Sequence, residues 1–372
     1  MLNLEDAQIF ELFGSYNKNI EQGYFQRIYS AIVFWDNISK DLPRDYMFSP
    51  IAKFIRKRHS ENIVDRIIRN NRVPRGTVLH IAPSNIPVLG IYSWYVSSIV
   101  GNINIVRLNK ANDDIKLFLD IANKYSDLVN DVVIDYGHDD IINQKLTYIV
   151  DARMLWGSDK TMYYFSKFSS PKVKDIVFSD KISVSIINLD MYNKMDDNKK
   201  ERFIELFYRD VFTYNQEGCS SPKLIYFIGS KDCESFFHCL NNYISYGISH
   251  RTVYDKYYRK CVDVVDGNSI LYDSTNITAI LSDKDNDYGY GGYFYCRFYD
   301  HCKEIKFPIK CQTVTYFGIA RNDILEWFDY VHRFVPVGQA MEFNEIWDGY
   351  DLPFELTKTV YFNEREFNAD DL

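Results

Sequence analysis

Cys219 stands in the segment Tyr214-Asn215-Gln216-Glu217-Gly218-Cys219-Ser220-Ser221-Pro222, after an amphipathic run and before the apolar stretch Leu224-Ile225-Tyr226-Phe227-Ile228. That places a thiol on a turn of small residues between a helix and a strand. Such a turn can bring a backbone N–H close to a reacting carbonyl, and only small neighbours leave room for a substrate. The chemistry it suits is nucleophilic attack by a thiolate. A structural cysteine would more often lie inside an apolar run. The chain has seven cysteines, the others being Cys233, Cys239, Cys261, Cys296, Cys302 and Cys311. Their number is odd, their spacing irregular, and no CxxC pair occurs. Neither a disulfide framework nor a zinc site is indicated, and a reducing cytoplasm is the expected compartment.

The elements that position this thiol follow from the apolar pattern. At 372 residues with 46% hydrophobic content, the chain suits two domains. Residues 1 to about 70 read as helical, with apolar spacing in Ile9, Leu12 and Phe13 and again in Tyr29, Ile32 and Val33. Thr77–Ile81 reads as a strand ending at the turn Ala82-Pro83-Ser84-Asn85-Ile86-Pro87, Ile91–Val100 as a buried helix, and Ile103–Leu108 as a second strand. This strand-helix-strand unit implies a parallel sheet. Further strands are expected at 132–134, 146–150, 154–156, 182–189, 261–265, 277–281 and 312–318. Helices are expected over 113–125 and 196–214. The whole reads as α/β, doubly wound, with a second α/β region.

Composition excludes some partners. A net charge of −8 supplies no general attraction to a phosphate backbone, and Arg56-Lys57-Arg58-His59 reads as a solvated helix face, so nucleic acid is not expected. No apolar run is long enough to span a membrane, and the acidic start Met1–Asp6 does not read as a signal sequence. The 16% aromatic content, with 30 Tyr and 26 Phe, reads as ordinary core and surface rings. No Gly-x-Gly-x-x-Gly follows the first strand, so the usual dinucleotide fingerprint is missing. The tract Tyr288-Gly289-Tyr290-Gly291-Gly292 reads as a surface loop.

Several separated segments nevertheless match one family. They are Gly76–Pro87, Gly101–Arg107, Trp156-Gly157-Ser158-Asp159, Asn215–Pro222, Val335-Pro336-Val337-Gly338 and Trp347-Asp348-Gly349-Tyr350-Asp351-Leu352. In this order they resemble the acyl-CoA reductase family typified by the fatty-acid reductase subunit of bacterial bioluminescence, a branch of the aldehyde dehydrogenase superfamily. The resemblance implies an aldehyde-dehydrogenase-like fold of two doubly wound α/β domains with the active site between them. The expected parts are an N-terminal helical and dinucleotide-binding region over 1–181, a catalytic domain over 182–345 and a C-terminal tail over 346–372.

By the same resemblance, Cys219 attacks an acyl thioester and takes the acyl group, while the Asn85 side-chain amide and the Cys219 backbone N–H receive the oxyanion. Read from the residues alone, Asn85 could instead cap the following helix. The superfamily contacts the adenosine ribose with a lysine five residues after the Gly-Asn pair, a position held here by Arg107. Three residues further, where NAD-preferring members often carry glutamate, stands Lys110. Two cations favour a 2′-phosphate, hence NADPH over NADH. Gly157 and Ser158 match the turn that approaches the pyrophosphate, and Glu304 resembles the glutamate on the nicotinamide ribose. Hydrolytic aldehyde dehydrogenases carry a glutamate that activates water, and Val177 holds that position here. An apolar residue cannot activate water, so an acyl group on Cys219 would wait for hydride.

Asp175 and Asp180 lie nearby and would replace it only if the alignment slipped. His80 reads as a satisfied core residue and His138 as part of a turn. His301 and Cys302 lack metal-ligand spacing. The expectation is an NADPH-dependent acyl thioester reductase that acts on acyl-CoA or a carrier-bound acyl group. An acyl-activating enzyme is a possible partner, and a homo-oligomer is expected. The alternatives are aldehyde oxidation to acid and a non-catalytic scaffold.

Overall fold

The computed structural model describes residues 9–14, 23–44, 47–83, 86–244, 250–284 and 288–362. They divide into two compact units, one of residues up to Ser179 together with those from Phe343, the other of Asp180–Glu342.

The first unit begins with β1 (Phe10–Phe13), α1 (Tyr24–Asp41), α2 (Ser49–Phe54), α3 (Lys57–Arg69) and β2 (Arg72–Pro74). Then come β3 (Thr77–Ile81), α4 (Pro87–Ile99), β4 (Ile103–Arg107), α5 (Asp113–Asn123) and β5 (Val132–Asp135). It continues through α6 (Asp140–Ile149), β6 (Ala152–Trp156), α7 (Asp159–Ser166) and β7 (Lys174–Phe178). The main sheet has the order β1-β5-β4-β3-β6-β7, parallel throughout except for β1. From β3 the chain winds outward to β4 and β5, then crosses back to β6 and β7. The winding reverses between β3 and β6, which is where doubly wound sheets take ligands, at the carboxyl ends of their strands.

Helix α4 is buried at every position from Pro87 to Ile99, as suits a sequence that is apolar apart from Ser93, Ser97 and Ser98. Pro87 opens it, and Gly101 at φ +89° turns the chain into β4. The excess of rings is core material: Trp35, Trp94, Tyr92, Tyr95, Phe34 and Phe118 have almost no exposed surface. Through this apolar core runs one buried polar chain. His80 bonds Ser93 at 2.7 Å and Asn104 at 3.0 Å, and Asn104 donates to Asp131 through its backbone (2.8 Å) and side chain (3.0 Å). Trp94 Nε1 donates to the other oxygen of Asp131 at 2.6 Å. His80 is thus the satisfied core residue expected.

The second unit comprises β8 (Ile182–Asn188), α8 (Leu189–Asn193), α9 (Asp197–Phe212), β9 (Pro222–Ile228), α10 (Glu234–Tyr243) and α11 (His250–Val265). It ends with β10 (Ser269–Asp273), β11 (Thr278–Leu281), β12 (Tyr293–Tyr299), β13 (Cys311–Phe317), α12 (Arg321–Leu325) and β14 (Arg333–Pro336). Its sheet order is β10-β11-β12-β9-β8-β13-β14, parallel except for β10. Asp196 caps α9 by accepting from Lys199 N at 2.9 Å, so the charged amphipathic run is the helix its pattern predicts.

After Glu342 the chain rejoins the first unit. Ile346–Trp347 (β15) and Tyr350–Asp351 (β16) form a hairpin turned by Asp348 at φ +50° and Gly349 at φ +80°. The hairpin seats Trp347 against Tyr92 and Trp156, with ring centroids 5.3 and 6.0 Å away. Asp351 takes both Arg66 nitrogens at 2.5 and 3.0 Å, and Thr357–Thr359 (β17) pairs with β2. The Trp-Asp-Gly signature therefore acts as a clasp.

Three expected elements differ. Residues 146–150 belong almost wholly to helix α6, because Asp139 caps it at Ile142 and Ile142 and Leu146 share its buried face. Residues 261–265 close α11, where Asp263 alone turns inward to accept from Tyr293 and Tyr295 while Val262, Val264 and Val265 face solvent. Ile9–Phe13, read as helical, holds β1, paired with β5. In each case tertiary partners outweigh local preference.

Burial pushes His80 down to about 4 and Asp131 up to about 6. An unfolded histidine binds its proton near 6.5, so the His80 contribution to stability is lost as pH falls from that value toward 4. Asp131 acts oppositely, losing stability as pH rises through about 6. His80→Gln removes only the first dependence. Its stability penalty at pH 7 should shrink by about 3 kcal/mol on acidification to pH 4, read from urea midpoints. Parallel curves for variant and wild type would refute this.

Candidate active site

The turn that carries Cys219 is built from the end of α9. The Gln216 N–H reaches back to the Val211 carbonyl at 2.7 Å, and Asn215 and Gln216 both take left-handed backbone angles, φ +47° and +63°. The helix is thereby stopped and the chain thrown back toward β9. Ser221 N donates to Gly218 O at 3.1 Å, closing a tight turn around Cys219 and Ser220.

Three polar side chains hold this turn. Gln216, fully buried, donates to the carbonyls of Pro222 (3.0 Å) and Tyr293 (3.3 Å) and accepts from Gly292 N (3.0 Å). Ser183, on β8, donates to the Cys219 carbonyl at 2.6 Å and accepts from Thr313 N at 3.2 Å. Ser220 donates to Gln312 on β13 at 3.4 Å. The half-buried thiol thus sits at the amino ends of β8, β9 and β13, on a backbone fixed from three strands. The sequence reading quoted Gln216 without a role and missed Ser183 and Gln312. A polar residue at a strand start carries no local signal of what it will bond.

The Tyr288–Gly292 tract is the neighbour of this turn. Gly292 takes φ +83°, and a Cβ there would stand 2.3 Å from the Asn276 carbonyl, so the chain can pass Gln216 only as glycine. Tyr288 and Tyr290 are exposed, as a surface loop implies. The Val335–Gly338 segment is tied to α9 instead: Asp210 accepts from Gly338 N at 2.6 Å and Ala340 N at 2.8 Å. Burial raises Asp210 to about 7 against those two amides and the charges of Arg333 and Arg209.

Of the other expected site residues, Asn85 lies outside the described residues. Glu304 is exposed and accepts from Asp300 N, just past the end of β12. Because β12 and β9 run parallel, that is the opposite edge of the sheet from Cys219, and the two are not brought together. Val177 lies on β7 against the apolar cluster of the first unit. Asp175 is committed to Arg153, at 2.7 and 2.6 Å. His138 is exposed in its turn, and no cluster of metal-binding side chains occurs among the described residues.

In the first unit, Gly157 and Ser158 follow β6, at the point where the winding reverses. A Cβ on Gly157 would come within 2.9 Å of the Thr161 side chain. Ser158 caps α7, accepting from Thr161 N at 3.3 Å. Arg107, at the end of β4, donates to the Tyr136 carbonyl through Nε (3.1 Å) and Nη2 (2.9 Å), with Nη1 outside those bonds. The Lys110 ammonium lies 2.8 Å from the centre of the Phe10 ring, and its backbone N–H donates to Asp135. These residues fit a dinucleotide: a glycine turn and a helix start after β6, with two cations after β4, two strands along the same carboxyl edge. The Gly101-Asn102 pair is structural, with Asn102 joining Gly76, Ser97 and Leu356.

The family model described as acyl-CoA reductase (LuxC) matches residues 58–247, 190 of the 372. The chain belongs to this family. The match takes in the Gly157 turn and the Cys219 turn, and ends before the Tyr288–Gly292 loop. A long-chain acyl-protein thioester reductase of Aliivibrio fischeri is 24% identical over 163 residues, which is 42% of this chain and 33% of that protein. The match thus spans about a third of this relative's length. Among solved structures, the aldehyde dehydrogenase KauB of Pseudomonas aeruginosa superposes with TM-score 0.67 at 12% identity, over 91% of this chain and 83% of its own. An aldehyde dehydrogenase of Bartonella henselae gives TM-score 0.61 at 12% identity, over 91% and 86%. A 3,6-anhydro-L-galactose dehydrogenase in complex with NAP gives 0.59 at 11%, over 85% and 80%. The fold is that of the aldehyde dehydrogenases.

Gln216→Leu strands two buried carbonyls and one N–H at this turn. Unfolding in urea should show a loss of about 3 kcal/mol, with faster exchange of the Gly292 amide. A stable variant with Gly292 still protected would mean that the amide is not what holds the turn.

Proposed function

We propose that this LuxC-family chain reduces acyl thioesters to aldehydes, with NADPH as the reductant and Cys219 as the residue that carries the acyl group. The observation that supports this most is the Cys219 turn itself, a half-buried thiol on a backbone fixed by Gln216, Ser183 and the Ser220–Gln312 bond. Such anchoring keeps a nucleophile in place while its substrate changes from trigonal to tetrahedral.

The Cys219 thiolate attacks the thioester carbonyl, the donor thiol leaves, and the acyl group stays on Sγ. By family resemblance the Asn85 amide and the Cys219 N–H receive the oxyanion. When bound, NADPH supplies hydride to the acyl carbon. Cys219 then leaves the resulting thiohemiacetal as thiolate, releasing aldehyde. By family resemblance Val177 stands where hydrolytic relatives carry the water-activating glutamate, and an apolar side chain there would leave the acyl group to hydride. Arg107 and Lys110 would hold the 2′-phosphate, and the Gly157–Ser158 turn would hold the pyrophosphate. The steps need nothing from Glu304. The acyl donor is a thioester of CoA or of a carrier protein, and a panel of acyl thioesters read by intact mass identifies it.

Cys219→Ala should abolish both the acyl adduct and NADPH consumption, and turnover that survives the change sinks the mechanism. Separately, Arg107→Ala with Lys110→Ala should raise KM for NADPH about tenfold, the loss of about 1.4 kcal/mol of ion pairing, and leave KM for NADH nearly unchanged. An equal effect on both cofactors would remove the 2′-phosphate assignment.

A further inference from the structure

Helix α11 lies on the second unit with its charged side inward. Lys256 and Asp263 are buried, and Arg259 and Lys260 are half-buried. Each has partners there. Lys256 Nζ donates to the Thr275 carbonyl at 2.9 Å, and Lys260 Nζ to Asp273 at 2.6 Å. Asp263 accepts from Tyr293 at 2.6 Å and from Tyr295 and Asn268, each at 2.8 Å. The Arg259 guanidinium lies over the rings of Tyr290, Tyr293 and Tyr295, and its Nε donates to the Tyr295 hydroxyl at 3.2 Å. These contacts fix which way the helix is turned.

The opposite side is therefore apolar and in water. Tyr254, Tyr257, Tyr258, Cys261, Val264 and Val265 are all exposed, Tyr254 by 69% and Val265 by 86%. At 3.6 residues per turn they share an arc of about 120°. Tyr254 and Cys261 stand seven apart, as do Tyr257 and Val264, and Tyr258 and Val265. That repeat is the one by which a helix packs along another helix, and a soluble helix ordinarily buries such a stripe. Single exposed rings need no explanation, but a continuous stripe marks an interaction surface.

The stripe suits a copy of itself. Its side chains offer roughly 700 Å² of exposed surface, so two copies would bury about 1,400 Å², within the range of a stable interface. A twofold contact sets each charge against its own copy, and this stripe carries no charged residue. The neighbouring cations Lys260 and Lys284 are held by Asp273 and Asp266, so an anionic lipid surface would gain little from them.

We propose that the apolar face of α11 is a contact between two copies of this chain, packed α11 against α11 about a twofold axis. Cys261 lies at the middle of the stripe, between the Tyr257–Tyr258 and Val264–Val265 pairs, so in such a dimer it stands beside its own copy. The inference is independent of the reductase reading.

Sedimentation equilibrium on the full chain tests it. Wild type should show an even multiple of the chain mass. Tyr258→Glu with Val265→Glu should halve that mass, because carboxylates would then face one another across the axis. A short bis-maleimide should join two wild-type chains through Cys261, and Cys261→Ser should abolish that product without changing the assembled mass. A monomeric wild type, or a folded double variant of unchanged mass, overturns the proposal. Should the double variant not fold, the lack of a Cys261-dependent covalent dimer in wild type overturns it. Wild-type monomers that float with phosphatidylcholine vesicles would assign the face to lipid and overturn it equally.

Discussion

The side-chain amide of Gln216 bonds three backbone groups: the carbonyls of Pro222 and Tyr293 and the N–H of Gly292. Buried backbone groups must find partners, and here one residue provides for three. The arrangement requires Gln216 to leave α9 with a left-handed backbone, Pro222 to open β9, and Gly292 to pass close to its neighbours. The end of a helix, the start of a strand and a glycine loop are thereby locked to one another. Cys219 lies between the first two, and its carbonyl is held by Ser183 from a third element. The Cys219 turn is fixed by backbone anchoring at the amino ends of parallel strands.

The first unit reaches order by other means. Its central helix is mostly apolar and buried on every face, enclosed by α1, β3, β4 and the C-terminal clasp. Within that core a short polar chain from His80 through Asn104 to Asp131 is fully bonded, which makes its burial tolerable. The family's separate segments interlock there. Asn102 ties Gly76 to Leu356, and Trp347 covers Trp156 just before the Gly157 turn. Motifs that looked like isolated signatures are largely packing contacts, those of Gly76 and Asn102 at the amino ends of β3 and β4 and that of Trp347 near the carboxyl end of β6.

The α/β alternation was legible because strand and helix periods differ, and the strand-helix-strand unit at 77–108 needs only that difference. The segments at 146–150 and 261–265 were misread because their β-branched and aromatic residues prefer strands. Helix α6 is held by a cap at Asp139 and the buried faces of Ile142 and Leu146, and α11 by the inward bonds of Asp263. Those partners lie several residues away or on another strand, beyond what a local pattern reports. The C-terminal clasp was hidden for the same reason, since Arg66 and Asp351 are far apart in the chain.

By itself the sequence determined the residue types available for chemistry: a cysteine on a small-residue turn, a glycine-serine turn after a strand, and two cations after another. It also determined the alternation of elements, because periodicity is local. Only the tertiary structure decided that Gln216, Ser183 and Gln312 converge on the Cys219 turn, and that Glu304 lies past the carboxyl end of β12, away from that turn. The physical reason is strand pairing. Register brings together residues that share no neighbourhood in sequence.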